Sequence, residues 1–421
     1  MMNIVIFAAG SQGDIQPCLR LAKGLQQSGF EILLAAPQNF VALSREQGVP
    51  FHVLRGDVQE IMAGETGRKF MERSGANPLQ SILTMRKMLG PVAVQMAEDA
   101  LEASRQAQVF ITLAVFAPLG KTIAEIRGIP LILIEPTPML PSGDFPAPGF
   151  PVQRNLGRAL NRLSGSMMLQ VIWQWYRPFV NEFRSLHNLR PLNGSDFHRI
   201  LSATPLLGAY SQTVIPQPRD WSEDVHITGY WFQNEAGEWR PSAQLESFLE
   251  EGEPPVYVGF GSMAGRNPEH YARVVLEALV KSGQRGVIAT GWGGMSVMSV
   301  PQNVLVLDSA PHGWLFPRMS AVVHHGGAGT TAEGLRAGVP SVIVPFTVDQ
   351  PFWGNRVESL GAGPEPIRAT RLNADKLAEA IVRAVHDMKM RKRAEEIGKA
   401  IRSEDGVGSA VKIVKQYLGA Q

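Results

Sequence analysis

Several segments of the sequence combine glycines with residues that can bind an anion or accept a proton. Residues 10–17 read GSQGDIQP, residues 259–262 read GFGS, and residues 325–333 read HGGAGTTAE. Each follows a short apolar run, and the first and last lead directly into helical spacing. A loop of this kind brings side chains and backbone N–H groups to the start of a helix, where anions bind. The sequence therefore predicts a site for a phosphorylated ligand, with a carboxylate nearby.

Asp14 is the one carboxylate of the first segment. Gly10 and Gly13 have GxxG rather than GxGxxG spacing, and the second apolar run ends in Ala-Ala-Pro at 35–37, where an NAD site needs an acidic residue. Both departures argue against an NAD-dependent oxidoreductase. Asp14 is then a general base on a rigid turn or, alternatively, an N-terminal cap of a helix whose start is fixed by Pro17.

The small residues of 325–333 let a ligand approach the backbone closely. The N–H groups of the helix start, with the hydroxyls of Thr330 and Thr331, make a site that fits a diphosphate, and the GxxxxGK[ST] pattern of a P-loop is absent. His325 can donate to a phosphate oxygen, and Glu333 can accept from ribose hydroxyls. Taken singly, a packed core histidine and a surface glutamate explain these two residues equally well.

Two further pairs of residues follow apolar runs in the second half. Gly261 and Ser262 provide small size and a hydroxyl, and Asp349 and Gln350 provide acceptors and donors that suit sugar hydroxyls. The carboxyl ends of parallel strands meet at one edge of a sheet, where the ligands of open α/β folds bind. We therefore expect all of these loops to face one cleft.

The elements that must position these loops alternate between short apolar runs and helical segments, which indicates an α/β fold. The runs lie at 3–8, 31–37, 51–54, 109–114 and 130–134, and again at 256–262, 286–290, 303–310, 321–327 and 340–346. We expect two facing Rossmann-like domains, residues 1–235 and 244–421, with the polar stretch 233–243 as the linker. Charged helices are predicted at about 373–387, 389–403 and 407–419, the last of them free to pack back on the first domain.

The first half also contains segments that suit an apolar ligand. The Pro/Gly-rich stretch 136–151 predicts a long ordered loop and a candidate binding loop. Apolar residues then recur every three or four positions, which predicts an amphipathic helix packed on the first domain, or a surface that faces lipid or acceptor: Leu156, Leu160, Leu163, Met167, Val171 and Trp175. Several residues are candidates for an apolar pocket, although core packing explains most of them equally well: Met62, Met71, Met85, Met88, Met96, Met139, Phe145 and Phe150.

Composition argues against several classes of function. The formal net charge is +2, which argues against a nucleic-acid partner. Hydrophobic residues make up 44% and charged residues 19%, as in globular chains, and no run of about 18 apolar residues is present to cross a bilayer. The single cysteine, Cys18, cannot form an intramolecular disulfide, and the start MMNIVIFAAG lacks the features of a signal peptide. We expect a cytoplasmic protein, with contact to a membrane surface left open.

The segment HHGGAGTTAEGLRAGVPSVIVPFTVDQPFWGNRVESLGAG, residues 324–363, closely resembles the donor signature of the UDP-glycosyltransferase superfamily. The resemblance is to its sterol glucosyltransferase-like and antibiotic glycosyltransferase branch, and GSQGDIQP resembles the N-terminal loop of that branch. It implies the GT-B architecture, with the acceptor mostly on the first domain and the nucleotide sugar mostly on the second. It also implies inverting transfer of a hexose, with UDP-glucose as donor, to a lipophilic acceptor, giving a β-glycoside. No cofactor and no obligatory metal are expected.

The resemblance also assigns roles to residues. It makes Asp14 the catalytic base, places His325 and Ser262 on the donor phosphates, Glu333 on the ribose, and the pair 349–350 on the sugar. The full set of donor-binding residues that it implies is Ser11, Gly13, Gly261, Ser262, Trp292, Ala310, His312, His325, Gly327, Ala328, Gly329, Thr330, Glu333, Asp349 and Gln350.

One part of the pattern departs from the plant members of the superfamily. They carry Trp-x-Pro-Gln where this sequence has Ser-Ala-Pro-His at 309–312, and Ser309 cannot stack on a base. Trp292 can supply an aromatic surface nearby, and a plain packing role explains it equally well. The choice between uridine and thymidine diphosphate stays open.

Two other functions agree with the same donor motifs: a nucleotide-sugar-binding protein without transfer, and a sugar-nucleotide epimerase. Asp14 disfavours the first, and the GSQGDIQP loop disfavours the second.

Overall fold

Runs rich in Val, Ile and Leu form a buried parallel sheet in each half of the chain. The computed structural model describes residues 2–56, 78–232, 239–261, 267–290 and 300–419. In these residues the first sheet has seven strands in the order β3-β2-β1-β4-β5-β6-β7. The strands are β1 (Asn3–Phe7), β2 (Glu31–Pro37), β3 (Phe51–Leu54), β4 (Val109–Leu113), β5 (Leu131–Glu135), β6 (Leu206–Gly208) and β7 (Val225–Ile227).

The second sheet has five strands among the described residues, in the order β10-β9-β8-β11-β12. They are β8 (Val256–Gly259), β9 (Gly286–Ala289), β10 (Val304–Leu307), β11 (Ala321–His324) and β12 (Ser341–Ile343). Every recorded strand pair in both sheets is parallel, so the residues that follow the strands gather at one edge of each sheet. The predicted fold class, two parallel-sheet α/β domains, is confirmed.

The helices cover the faces of the two sheets. Those of the first half are α1 (Gln12–Gln27), α2 (Val41–Glu46), α3 (Pro78–Ala103), α4 (Ala117–Arg127), α5 (Arg158–Leu186) and α6 (Gly194–Ser202). Those of the second half are α7 (Ala243–Glu250), α8 (Pro268–Ser282), α9 (His312–Leu315), α10 (Ala328–Ala337), α11 (Gln350–Ser359), α12 (Ala374–His386), α13 (Met388–Arg402) and α14 (Gly406–Leu418). The last three match the predicted C-terminal helices within about one residue, inside the usual uncertainty of helix ends.

Two features join the halves. An apolar cluster contains Tyr210 and Val214 from the first half together with Phe352 and Trp353 from the second. The last helix, α14, packs on α1, where its Val414 is buried. The loops at the edges of the two sheets are therefore held against each other by packed side chains. The domain limits themselves stay a prediction.

The start of α1 differs from the prediction. Pro17 was expected to fix the helix start, but α1 begins at Gln12, with Ser11 as its N-cap residue, and Pro17 lies inside the helix. The early start has a local cause. Asp14, in the first turn, accepts hydrogen bonds from the backbone N–H and the hydroxyl of the N-cap residue Ser11. Gly13 and Asp14 consequently lie on the helix rather than on a loop before it.

The prediction that the apolar stripe of α5 packs on the first domain is wrong at three positions. Leu160, Leu163 and Met167 are 54%, 52% and 51% exposed, whereas Leu169 and Trp173 are buried. Near its N-terminal end, α5 instead packs through polar residues that hydrogen-bond to the loop 136–151. Hydrophobic period alone cannot show such contacts, because it reports apolar faces only.

Candidate functional site

Asp14 lies in the first turn of α1, just after the end of β1. The backbone N–H and the hydroxyl of Ser11 both donate to Oδ2 of Asp14, each at 2.8 Å. Burial raises the pKa of Asp14 above its ordinary value, and the two bonds from Ser11 partly oppose that rise. The capping contact that the sequence left as an alternative is thus present. Among the described residues no hydrogen bond to Oδ1 is recorded, so this atom can accept one from a ligand.

The ring of His325 lies between two glycines at the edge of the second sheet. A Cβ at Gly327 would stand 2.6 Å from Nε2 of His325, and one at Gly261 would stand 4.0 Å from Nδ1. Gly327, the N-cap residue of α10, therefore leaves the room that the ring occupies. Nδ1 is buried and has no hydrogen-bond partner among the described residues. This orphan atom and the glycines beside it form a cradle into which a ligand oxygen fits.

Burial lowers the pKa of His325 to about 4. The imidazole is therefore neutral at pH 7, with one N–H that donates and one nitrogen that accepts. The start of α10 lies beside it, and no side chain caps the first N–H groups of this helix. A neutral donor and an open helix start together suit an anion.

The two threonines of this loop differ in exposure. Thr331 is fully buried and its Oγ1 has no partner among the described residues, whereas Thr330 is partly exposed. Successive residues of a helix point about 100° apart, so the two side chains face different directions. The expectation that both hydroxyls line the anion site stays a prediction. Ala328 is partly exposed and Gly329 exposed at the same end of α10.

The segment after β10 approaches Glu333 from the side. His312 stacks on Phe316 with ring centroids 4.3 Å apart, and its pKa is lowered to about 4, mainly by burial. A Cβ at Gly313 would stand 3.7 Å from Oε2 of Glu333. Ala310, which precedes this turn, packs on a neighbouring core cluster. Glu333, the residue predicted to bind the ribose, therefore lies close to the 309–312 segment.

Asp349 begins α11 and is held from both halves of the chain. Its Oδ2 accepts from Nε1 of Trp353 at 3.0 Å and from Oγ1 of Thr137 at 3.3 Å. Burial raises the pKa of Asp349, and the negative charge of Asp14 adds to the rise. Thr137 was not among the predicted site residues, and its place in the candidate binding loop was the one signal that could have found it.

The backbone just before Asp349 is strained. Val348 has φ of +51° and is 71% exposed. A β-branched residue in the left-handed region is costly, and such residues concentrate at ligand sites. The residue just before Asp349 therefore has the kind of backbone strain that is found at such sites.

Gln350 uses one half of its amide to hold its own loop. Oε1 accepts from the N–H groups of Phe346 and Thr347, at 2.8 and 3.1 Å. The Nε2 amide is the part that can donate to a sugar hydroxyl. In the predicted pair, Gln350 can therefore donate a hydrogen bond to a sugar hydroxyl, and Asp349 can accept one.

Some predicted residues lie outside the described residues: Ser262, Trp292, Met62 and Met71. Most of the predicted linker, 233–238, and the side chains of Met85 and Met88 lie outside as well. Met96 is a core residue and Met139 packs at the edge of the same core, so core packing explains both. Phe145 packs on Phe352, and Phe150 is partly exposed.

No group of three or more metal-ligating side chains comes together in the described residues. No helix of the described chain is long and apolar enough to span a membrane.

Two family models match the chain. The glycosyltransferase family 28 N-terminal domain matches residues 4–134, and the erythromycin biosynthesis protein CIII-like C-terminal domain matches residues 273–414. The matches therefore cover Asp14 and the loop that follows β11.

Full-length relatives and solved structures agree with these models. A sterol 3-beta-glucosyltransferase of Arabidopsis thaliana is 36% identical over 99% of this chain and 68% of its own length. The O-mycaminosyltylonolide 6-deoxyallosyltransferase of Streptomyces fradiae is 34% identical over 99% of this chain and 97% of its own. The crystal structure of a kitacinnamycin glycotransferase superposes with a TM-score of 0.73 and 19% identity, over 98% of both chains. That likeness supports the two-domain fold.

Proposed function

Because the chain belongs to the glycosyltransferase family that includes the sterol 3-beta-glucosyltransferases and the antibiotic glycosyltransferases, we propose that it transfers a hexose from UDP-glucose to a lipophilic alcohol. The acceptor is a sterol, terpenoid, polyketide or hydroxy-lipid, and the product is a β-glycoside. One observation carries the proposal. Asp349 of the second half accepts a hydrogen bond from Thr137, which follows β5 at the edge of the sheet where Asp14 follows β1. This contact supports a base and a sugar ligand that share one site.

The second half holds the donor. The diphosphate binds at the open start of α10, beside the neutral imidazole of His325. Glu333 accepts from the ribose, while Asp349 and the amide of Gln350 bind the hexose hydroxyls. Backbone N–H groups and one imidazole then stabilise the charge that develops on the leaving diphosphate. We propose that no metal is required for this step.

Asp14 activates the acceptor. The acceptor oxygen forms a bond to the anomeric carbon while the bond from that carbon to the diphosphate oxygen breaks, and the nucleoside diphosphate leaves with the electron pair. The proton of the acceptor hydroxyl passes to Oδ1 of Asp14, whose raised pKa makes it a better base than an exposed aspartate. In-line attack inverts the anomeric centre.

A transfer screen tests the proposal. UDP-glucose and dTDP-glucose are each incubated with a panel of hydrophobic alcohols and phenols, products are detected by mass spectrometry, and the anomeric configuration is read by NMR. We expect a β-glycoside from UDP-glucose, with no product from the Asp14→Asn variant. Donor binding without any transfer would support a binding protein instead, and an epimerised sugar nucleotide would support an epimerase.

A further inference from the structure

A fully buried carboxylate ends β5, at the edge of the sheet that carries the site. Glu135 has 0% exposure, and the groups that act on it among the described residues are neutral donors. A buried carboxylate without a cation is expensive to keep. Its retention points to a use for its acceptor oxygens.

Those oxygens close the turn that follows the strand. Oε1 of Glu135 accepts from the N–H of Met139 at 2.6 Å and from the N–H of Leu140 at 3.3 Å, and Oε2 accepts from the hydroxyl of Tyr210 at 2.8 Å. The carboxylate therefore ties the far end of the turn 136–140, whose backbone lacks strand or helix partners, back to the end of β5.

The neighbouring strand is shaped to admit Tyr210. Gly208 pairs with Glu135 in the register of β5 and β6. A Cβ at Gly208 would stand 2.8 Å from Cζ of Tyr210, so the phenol occupies the room that a side chain would fill. The contact between Glu135 and Tyr210 is thus built into the backbone of two strands.

The turn that Glu135 fixes reaches into the other half of the chain. Thr137, in the middle of the turn, donates to Oδ2 of Asp349 at 3.3 Å. Further along the same loop, Phe145 packs on Phe352 of α11, with ring centroids 5.6 Å apart. Thr137 and Trp353 together hold Oδ2, so Oδ1 of Asp349 is directed by residues of both halves.

We propose that Glu135 is a positioning residue for the hexose of the donor: by fixing the turn 136–140 it holds Thr137 against Asp349 and so sets the direction of that carboxylate. The inference rests on the proposed function, in which Asp349 binds the sugar. It involves the hexose and not the diphosphate, which binds at α10. Binding of UDP-glucose therefore depends on Glu135, and binding of UDP does not.

Calorimetry of two matched variants tests this separation. Glu135→Gln keeps an acceptor for the turn and an amide that can donate to Tyr210, whereas Glu135→Met has similar volume and no acceptor. We expect Glu135→Met to weaken UDP-glucose about tenfold, the effect of about one hydrogen bond, and to leave the Kd for UDP within about twofold. Glu135→Gln should bind UDP-glucose with an affinity near that of the wild type. Equal weakening of UDP and UDP-glucose would mean a merely structural role and would overturn the proposal.

Thr137 gives a second pair should Glu135→Met not fold. Thr137→Val removes the donor to Asp349 and Thr137→Ser keeps it, so only the first variant should lose affinity for UDP-glucose. Asp349→Asn distinguishes a failure of the positioning role of Glu135 from a failure of the sugar-binding role of Asp349. If it weakens UDP-glucose while Glu135→Met and Thr137→Val do not, the positioning role fails and the proposed function stands. If Asp349→Asn has no effect, the sugar-binding role of Asp349 fails, and the inference fails with it.

Discussion

Ser11 donates two hydrogen bonds to Asp14 at the start of α1, since its backbone N–H and its hydroxyl both bind the same carboxylate oxygen. One carboxylate can therefore cap the helix through Oδ2 and act as a base through Oδ1. Capping and catalysis, which the sequence presented as alternatives for Asp14, are compatible in this geometry. Their effects can be separated by mutation.

Asp14→Asn should abolish base catalysis and preserve the fold. The amide oxygen still accepts from Ser11 but cannot take the acceptor's proton, so we expect kcat to fall by about 10²–10⁴-fold with UDP affinity and Tm near wild type. Glu379→Gln, the same change of acid to amide at an exposed position of α12, is the matched control. Its kcat and Tm should both stay near wild type. Retention of more than about a tenth of kcat in Asp14→Asn would contradict the base assignment where chemistry limits turnover.

His325→Ala should weaken UDP binding. It removes a neutral donor whose ring lies between Gly261 and Gly327, at a cost on the order of 1–3 kcal/mol. Calorimetry with UDP measures the loss, and His386→Ala, on an exposed position at the end of α12, is the control. An unchanged Kd in folded His325→Ala would remove this residue from the site.

His324 should matter through the shape of the loop that follows β11, where we propose that the donor binds. Its Nδ1 accepts from the N–H of Gly326 at 3.1 Å, and Gly326 has φ of +88°. His324→Leu leaves that buried N–H without a partner, so we expect about tenfold weaker UDP binding and a lower Tm. His324→Asn carries an acceptor near the same place and should recover most of both. Equal behaviour of the two variants would show that the bond to Gly326 is not what shapes the loop.

EDTA should leave transfer activity largely intact. The proposed site neutralises the diphosphate with the start of α10 and His325, and no cluster of metal ligands forms in the part of the chain that the structure describes. The measurement is the initial rate before and after chelation. A rate that falls and returns only with Mg²⁺ or Mn²⁺ would contradict a metal-free step.

Glu135 should make the free energy of unfolding depend on pH, in the direction that follows from its raised pKa. Burial raises its pKa from 4.5 to about 7, so the folded chain binds more protons than the unfolded chain between these values. The stability that this group contributes is present below pH 4.5 and is lost as the pH rises through 7. Glu135→Gln does not titrate, so the difference in Tm between variant and wild type should shift in favour of the variant from about pH 4.5 to 7.

Thermal unfolding of both proteins across this range provides the check, and the titration of other groups cancels in the difference. Glu379→Gln, at an exposed position of α12, is the control. A difference in Tm that stays constant with pH would contradict the assignment for Glu135.

The sequence by itself determined the order of strands and loops, the positions of His325 and the 349–350 pair next to strand or helix ends, and that of Glu333 inside the helix that follows β11. These features are local, because buried runs, glycines and helix starts are written in neighbouring residues. Parallel pairing then requires the loops to gather at one edge, which is why the cleft followed from the pattern of elements. The resemblance of 324–363 to a donor signature added the roles, which sequence spacing alone did not assign.

Only the tertiary structure decided which face of each element meets a partner. Helical period showed that α5 has an apolar stripe, but the exposure of Leu160 depends on what covers that stripe, and polar contacts to the loop 136–151 orient the helix instead. Thr137 and Asp349 are 212 positions apart, and no local pattern encodes their hydrogen bond. Contacts of this range depend on how two sheets pack through side chains such as Tyr210, and packing geometry is a property of the folded chain rather than of any segment.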